Sequence, residues 1–581
     1  MFQFGKSMIS EMVISNTDVK QTQPACHQQV MNHAGGFTFQ VTDLMRVRRF
    51  LILGCEGGTY YTSERKLGMD NAACIQRMIA QGQGVDVVRE IVEISTNNRA
   101  PKLQPVVFAL AVCARSKCGQ TQHAAYAALS TVCRIPTSLF QFIAFSELLS
   151  EGTGWSRAHK RAVAEWYTSK TPSSLAFLMT KYRQRDGWSH RDVLRLAHVK
   201  PPSDMYDMVF RYAAKGFDKL GEVSAFAEAL ATPTAGSVPS CHDEETHSVA
   251  SGEEESEVVG ERTLQQLAEY LSVVEHCKDV IDAHEMAHLI RQHGLQREHV
   301  PTPLLNKVEV WEALVEKMPM TAMIRNLGKM TSLGLLAANS THADVVVRAL
   351  RDERRLHKGR IHPFSVLLAL YTYRSGHGDK GSLSWEPVPE VLSALNFAFY
   401  AAFKNVTPTG QRIVVGLDVS GSMDGAKIMG TSISAREGAA ALSMLFARTE
   451  QETRVMAFCD DFVELDITGE DSLEDVLSKT SCLPFGRTDC SLPMLWALEN
   501  NVNADCFIVI TDNETFAGGI HPHEALKRYR ELTRIDAKMV VVGMTATEFT
   551  IADPEDSGML DMVGFDASAP EILRDFLVGR V

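Results

Sequence analysis

Residues 413–423 read IVVGLDVSGSM, and no other stretch narrows the fold of this chain as far. Ile413, Val414, Val415 and Leu417 form a nearly unbroken bulky apolar run. Such a run suits a strand buried on both faces, as in the parallel sheets of α/β domains. It ends at Asp418. Ser420 and Ser422 follow at alternate positions, and Gly421 lets the backbone turn tightly between them. In open α/β sheets, ligands bind in the crevice beyond the carboxyl ends of the strands. One carboxylate and two hydroxyls placed there suit a hard divalent cation such as Mg2+, with water completing the octahedron.

The rest of the C-terminal part, 405–581, keeps to that plan. TRVMAFCD, FVELDI, DCFIVIT and AKMVVVGM read as strands. Between and after them, SLEDVLSKT, MLWALEN, HEALKRYREL and PEILRDFLV read as helices. Alternation of this kind predicts a mainly parallel sheet covered on both faces. The loop CLPFGRTDCSLP carries Thr488, and the strand DCFIVIT runs into Asp512. DVSGS, then a threonine in a glycine-containing loop, then a strand-terminal aspartate, in that order, resembles a von Willebrand factor A domain with a metal-ion-dependent adhesion site. That resemblance implies Ser420, Ser422 and Thr488 as the nearest metal ligands, with Asp418 and Asp512 acting directly or through water. It also implies that a partner's carboxylate can fill the metal's open position.

Residues 26–404 read differently. From Gly68 onward, NAACIQRMIAQ, VDVVREIVEIS, QPVVFALAVCAR, HAAYAALSTVC and SLFQFIAFSELL show apolar positions at three- and four-residue steps, separated by short breakers. Helix pairs joined by short loops predict an irregular HEAT-like α-solenoid. Helices resume from LQQLAEYLSVVEHC to VLSALNFAFYAAF. Two segments fall outside the pattern. Residues 1–25 lack a basic-then-apolar leader and read as a mobile tail. Residues 236–262 are acidic, serine-rich and poor in large apolar groups, and read as a disordered insertion.

Charge divides the chain by function. The net is −13 overall, yet residues 1–235 carry +8 and residues 405–581 carry −15. Such asymmetry suits a polyanion partner for the solenoid end only, or simply two surfaces of different charge. Basic density peaks between Trp155 and Lys200, where ten lysines and arginines are interleaved with Trp155, Trp166, Tyr167, Tyr182 and Trp188. Cationic groups neutralise phosphates, and aromatic planes stack on unpaired bases, so this window is a candidate RNA face, the other reading being a solvated basic helix face over core aromatics.

One further motif needs weighing. His284–His288, HEMAH, matches the zinc-peptidase pattern HExxH. Arg291 and Gly294 stand where the longer signature requires glycine and histidine, so a third ligand would have to be Glu309, Glu312 or Glu316. An ordinary solenoid helix is the expected reading. With no phosphate-binding loop and no nucleophile–base pair either, the chain is expected not to be an enzyme. Its twelve irregularly spaced cysteines point to reduced thiols in the cytosol or nucleus. It has no apolar run long enough to span a bilayer.

Finally, KYRQRDGWSHRDVLRLAHVKP, MPMTAMIRNLGKMT, GRTDCSLPMLWA, FIVITDNETFAGG and FTIADPEDSGMLDM resemble the Ro autoantigen family of TROVE-domain RNA-binding proteins. The resemblance implies a solenoid curved into a ring and closed by the A domain. It implies Y RNA on the outer basic surface, and 3′ ends of misfolded noncoding RNA in the central hole, in RNA quality control. It places the Y RNA contacts in the basic window, at His190 first, with Lys170, Arg183, Arg185, Arg191 and Arg195 in support. The expected molecule is a monomer with no DNA or membrane partner. A metal-dependent, adhesion-type protein-binding module is the alternative reading.

Overall fold

The computed structural model describes residues 18–55, 59, 62–150, 152–222, 263–378, 382–403, 408–428, 431–459, 461–481, 483, 486–564 and 569–579. The expected acidic insertion, 236–262, lies outside the described residues.

Helical periodicity is realised throughout the first part. Helices α1 (Asp43–Leu53), α2 (Glu64–Ala80), α3 (Gly84–Thr96), α4 (Gln104–Ala114), α5 (Gly119–Ala127), α6 (Leu129–Val132), α7 (Pro136–Leu148), α8 (Arg157–Thr168), α9 (Pro172–Lys181), α10 (His190–Ala197) and α11 (Asp204–Lys215) follow one another with short connections. A second run extends from Leu264–His276 to Pro389–Ala401. Polar caps set the starts. Ser156 accepts from the His159 amide at the start of α8, and Thr171 accepts from the Ser174 amide at the start of α9. The apolar faces pack into one continuous core that includes Trp166, Tyr167 and Trp311. Trp166 and Tyr167 are therefore core residues, while Trp155 and Trp188 stay half-buried.

The second part is an open α/β sheet. Number the strands in chain order: β1 (Val30–Met31), β2 (Phe37–Gln40), β3 (Gln184–Arg185), β4 (Trp188–Ser189), β5 (Ile413–Asp418), β6 (Thr453–Phe458), β7 (Phe462–Leu465), β8 (Cys506–Thr511), β9 (Lys538–Gly543), β10 (Phe549–Thr550) and β11 (Met559–Met562). The large sheet runs β11-β9-β8-β5-β6-β7, parallel except at β6–β7. Every residue of β5 and β8 is buried, because helices cover both faces. Alternate side chains serve separate cores: Ile413, Val415 and Leu417 face helix Ala435–Thr449, whereas Val414, Phe507 and Val509 pack with Leu495 and Leu526.

The two parts meet at the beginning of the chain as well as near the end of the helical run, where the Tyr371 hydroxyl donates to Glu437 and the Arg448 guanidinium lies over the Tyr400 ring. β2 pairs antiparallel with β10 of the A domain, extending into a three-stranded sheet β1-β2-β10. From α1, Arg46 pairs with Glu548, and the buried Arg49 pairs with Asp561 and donates to the Phe549 carbonyl at 2.6 Å. The solenoid is thus held to the A domain at both ends, and the chain closes on itself. This corrects the expected N-terminal tail over residues 18–25, while residues 1–17 of that expectation lie outside the described residues. Residues 18–25 are docked: Asp18 pairs with Arg528, and Gln21 is fully buried against the A domain. Nothing in the local sequence signals this, because the partners lie some five hundred residues away.

Candidate nucleic-acid interface and metal centre

The basic window folds into α8 to α10, with a small hairpin between α9 and α10. β3 and β4 pair around Asp186 and Gly187, both in the left-handed region at φ 50° and 80°. Asp-Gly between extended residues is the signal of such a turn, and it is readable in RDGW. The hairpin delivers Ser189 as N-cap of α10. Ser189 Oγ accepts from the Asp192 amide at 3.4 Å and Asp192 Oδ2 accepts from the Ser189 amide at 3.2 Å, a reciprocal capping box. With the start fixed, the helix period sends His190, Val193, Leu194 and Ala197 inward and leaves Arg191 and Arg195 exposed. Two like charges four residues apart repel by a few tenths of a kcal/mol on a bare helix, and a bound phosphate would remove that cost.

The residues expected to touch RNA therefore separate. Arg183, Arg185, Arg191 and Arg195 are all exposed. Arg191 also lines an open cleft of about 470 Å³ with Ala214, Lys215 and Lys219, so α10, the end of α11 and the turn after it converge there. Lys215 and Lys219 lie outside the basic window, and local charge density does not single them out. Lys170 is half-buried: its ammonium sits 3.8 Å from the Trp166 ring and 3.4 Å from the Trp166 carbonyl, and desolvation lowers its pKa to about 8. Its reach to solvent phosphate is accordingly reduced.

His190, the residue expected first, is corrected by the structure. It is 3 % exposed. Nδ1 is 2.9 Å from the Tyr167 hydroxyl and Nε2 is 2.9 Å from the Tyr182 carbonyl. The carbonyl can only accept, so Nε2 carries the proton and Nδ1 accepts from Tyr167. Burial pushes the imidazole pKa down to about 3. His190 holds α8, α9 and α10 together and offers no edge to RNA. The spacing that puts it beside Arg191 does not say which side of the helix faces in.

HEMAH occupies helix Ala283–His293, whose inner face is Met286, Ala287 and Ile290. His284 and His288 point to solvent, and Glu285 Oε1 is 3.0 Å from His276 Nε2. Glu316 is paired with Arg291. No group of three or more His, Cys, Asp or Glu stands in metal-holding geometry among the described residues.

The five residues expected at the metal site come together at the carboxyl edge of the large sheet. Asp418 ends β5, and Asp512 follows the end of the adjacent strand β8. Ser420 and Ser422 hydroxyls are 3.0 Å apart. Thr488 sits in a loop tied on one side to β6, through Asp489 N to Cys459 O at 3.0 Å. On the other side it is tied to the segment after β8, through Phe516 N to Thr488 O at 3.0 Å. Thr511, which the motif does not include, donates to Asp418 Oδ2 at 2.6 Å and orients that carboxylate. Burial raises the Asp418 carboxyl, with hydrogen bonds from Ser420 and Thr511 opposing. Asp512 is raised further, by burial first and then by the charges of Asp418 and Glu514. Two buried carboxylates side by side are costly unless something positive joins them. Three hydroxyls and two carboxylates are a donor set for a hard divalent cation, so the residues fit the expected group. All five side chains are at most 2 % exposed, so a partner's carboxylate reaches this position only if the surrounding loops open.

Comparison with known proteins follows the same division. The TROVE domain model matches residues 30–411, and the Ro60 vWA domain model matches residues 412–577. A Caenorhabditis elegans protein named RNA-binding protein RO60 is 40% identical, with 97% of this chain and 92% of that protein covered. A Deinococcus radiodurans protein of the same name is 36% identical, with 97% of each covered. The crystal structure of the Deinococcus radiodurans Ro (RSR) protein covers 93% of this chain and 100% of its own at 34% identity, with a TM-score of 0.63.

Proposed function

The chain belongs to the TROVE-domain Ro60 family of RNA-binding proteins, and from that premise we propose that it binds small noncoding Y RNAs through the exposed face of α10 and α11. The observation that carries this is the convergence of Arg191, Lys215 and Lys219 on one open cleft, with Arg195 on the same face of α10. Phosphate contacts position a structured RNA there, and the half-buried Trp155 and Trp188, 6.0 Å apart, lie against the same hairpin for unpaired bases. Arg183 and Arg185 extend the cationic track. On this reading the protein performs no catalysis. It holds 3′ ends of misfolded noncoding RNA in the ring and serves RNA quality control in the cytosol.

In the A domain, Ser420, Ser422 and Thr488, with Asp418 and Asp512, are the residues that would hold Mg2+. The cation would supply the positive charge that two adjacent buried carboxylates lack. The domain's net charge of −15 keeps RNA off it, so its task is separate from the solenoid's.

The test is a gel-shift titration of a Y-type hairpin RNA against Arg191→Glu/Arg195→Glu protein. Affinity falls at least tenfold, and the log–log salt slope flattens by about 0.7 to 0.9 for each phosphate that is no longer neutralised. Unchanged affinity and slope would put the RNA elsewhere.

A further inference from the structure

The wall outside the buried metal-site loops comes from the other end of the chain. Residues 18–36 form an arm that lies across the segment after β8 and the loop before helix Leu492–Glu499. Gln21 is its innermost group. Its Nε2 donates to Asp489 Oδ1 and to the Ile520 carbonyl, both at 2.8 Å, and its Oε1 accepts from Thr515 Oγ1 at 2.6 Å. Asp489 adjoins Thr488. Thr515 Oγ1 accepts from the Cys490 amide at 3.1 Å and lies 3.3 Å from the Thr488 carbonyl. One amide group thus joins the loop that carries Thr488 to the segment that carries Asp512.

The arm is fastened on either side of Gln21. Asn32 Nδ2 donates to the Thr515 carbonyl at 2.9 Å. The Ala34 amide donates to Glu514 Oε2 at 3.1 Å, and His33 Nδ1 is 2.9 Å from Glu514 Oε1. The approach is close enough to require glycine twice. A Cβ on Gly36 would collide with the Thr515 carbonyl, and one on Gly518 would collide with both the Gln21 amide and the Asp489 carboxylate.

We propose that Gln21 is a positioning residue of the metal site, so that docking of the N-terminal arm and binding of a divalent cation to the A domain favour each other. The inference rests on the metal reading above. Thr488 and Asp512 stand on separate loops. A cation needs both loops in one coordination shell, and Gln21 bonds to both while touching neither ligand. Linkage is reciprocal: whatever factor the docked arm adds to cation affinity, the cation adds to arm docking. The arm leads through β2 into α1, so the same linkage joins the metal site to the closure of the solenoid.

The experiment uses the full chain, with Mn2+ as the spectroscopic probe for the site. Mn2+ binding is read by paramagnetic resonance, and protection of residues 18–36 by amide exchange with and without the metal. Three variants accompany the native protein. Gln21→Glu sets a second carboxylate against Asp489. Gly518→Ala crowds the Gln21 amide and the Asp489 carboxylate while leaving the sequence of the arm unchanged. Asp418→Ala removes a ligand and serves as control. The native protein binds Mn2+ and its arm exchanges more slowly when loaded. Gln21→Glu and Gly518→Ala bind about tenfold more weakly and lose most of that slowing. If the native protein binds Mn2+ while its arm exchange ignores the metal, or if both variants keep native affinity, the coupling is wrong and the metal site stands. If the native protein binds no Mn2+, or binds it undiminished in Asp418→Ala, the metal reading and the coupling fall together. The native exchange measurement needs no variant, so a substitution that fails to fold does not shield the proposal.

Discussion

Single residues decide which half of the basic window is open to solvent. His190 and Arg191 are neighbours in sequence, yet one is a buried neutral imidazole and the other a solvent-facing cation. Their chemistry predicts opposite behaviour. His190 has a folded pKa of about 3 against an ordinary value near 6.5. Between those values the unfolded chain takes up a proton that the folded protein refuses, so stability is full above pH 6.5 and is lost as pH falls toward 3. The depression corresponds to on the order of 5 kcal/mol. His299 adds to the same trend, since burial pushes it down to about 3 as well. His190→Gln should lower stability at pH 7 by about 1–3 kcal/mol, through the disturbed bonds to Tyr167 and Tyr182. It should also flatten the acid limb, as followed by urea melts between pH 7 and 4. RNA affinity of the folded variant should stay within a few-fold of native. A hundredfold loss of affinity in a variant with native stability would restore His190 to the interface. Lys170 gives a slope of the same sign in a more alkaline window. Its pKa is lowered to about 8, so the folded state gives up this proton before the unfolded chain does, and stability rises between pH 8 and about 10.5.

At the scale of elements, legibility followed the range of the forces involved. Helices α2 to α5 and α7 show in the sequence because their apolar faces repeat every three to four residues. β5 and β8 show because burial on both faces demands unbroken apolar runs. The grouping of the five oxygen-bearing residues expected at a metal site was legible for a related reason: they stand in recognisable loops where two such strands end. The arm was not legible. β1, β2 and β10 are two to four residues long. Gln21 and Asn32 are polar residues buried only because partners from the far end of the chain satisfy them. The hairpin before α10 lies between these cases, since RDGW carries an Asp-Gly turn signal but the strands it joins are only two residues each. The capping box it delivers carries a prediction. Ser189→Ala removes the acceptor for the Asp192 amide and should cost about 1 kcal/mol. Because the first turn of α10 also holds Arg191, RNA affinity should fall more than thermal stability suggests. Gly in the same position should be milder on both counts. Melting curves and gel shifts on the two variants check this, and equal effects from alanine and glycine would contradict it.

For the whole molecule, closure is the organising fact. The solenoid joins the A domain covalently after Pro389–Ala401 and non-covalently through α1, β2 and the arm. The closure places a basic first segment and an acidic last domain in one body, so the two charge signs oppose each other across the molecule's two parts. Arg49 is the innermost group of the non-covalent junction. It is fully buried, paired with Asp561 of β11, and its guanidinium also donates to the carbonyls of Thr547 and Phe549. A buried pair of this kind adds little over a well-packed apolar pair, yet losing one member strands the other, at about 3–5 kcal/mol. Arg49→Met, which keeps most of the volume, should therefore destabilise by that amount, and Arg49→Met/Asp561→Leu should recover most of the loss. The more telling readout is cooperativity. If α1 is what welds the two parts, calorimetry of Arg49→Met should resolve the single transition into two, with the A domain and the solenoid melting apart. The double variant should merge them again. A single transition in Arg49→Met would move the weld to the arm and β2. Gln21→Glu would then be the substitution that separates the two melts.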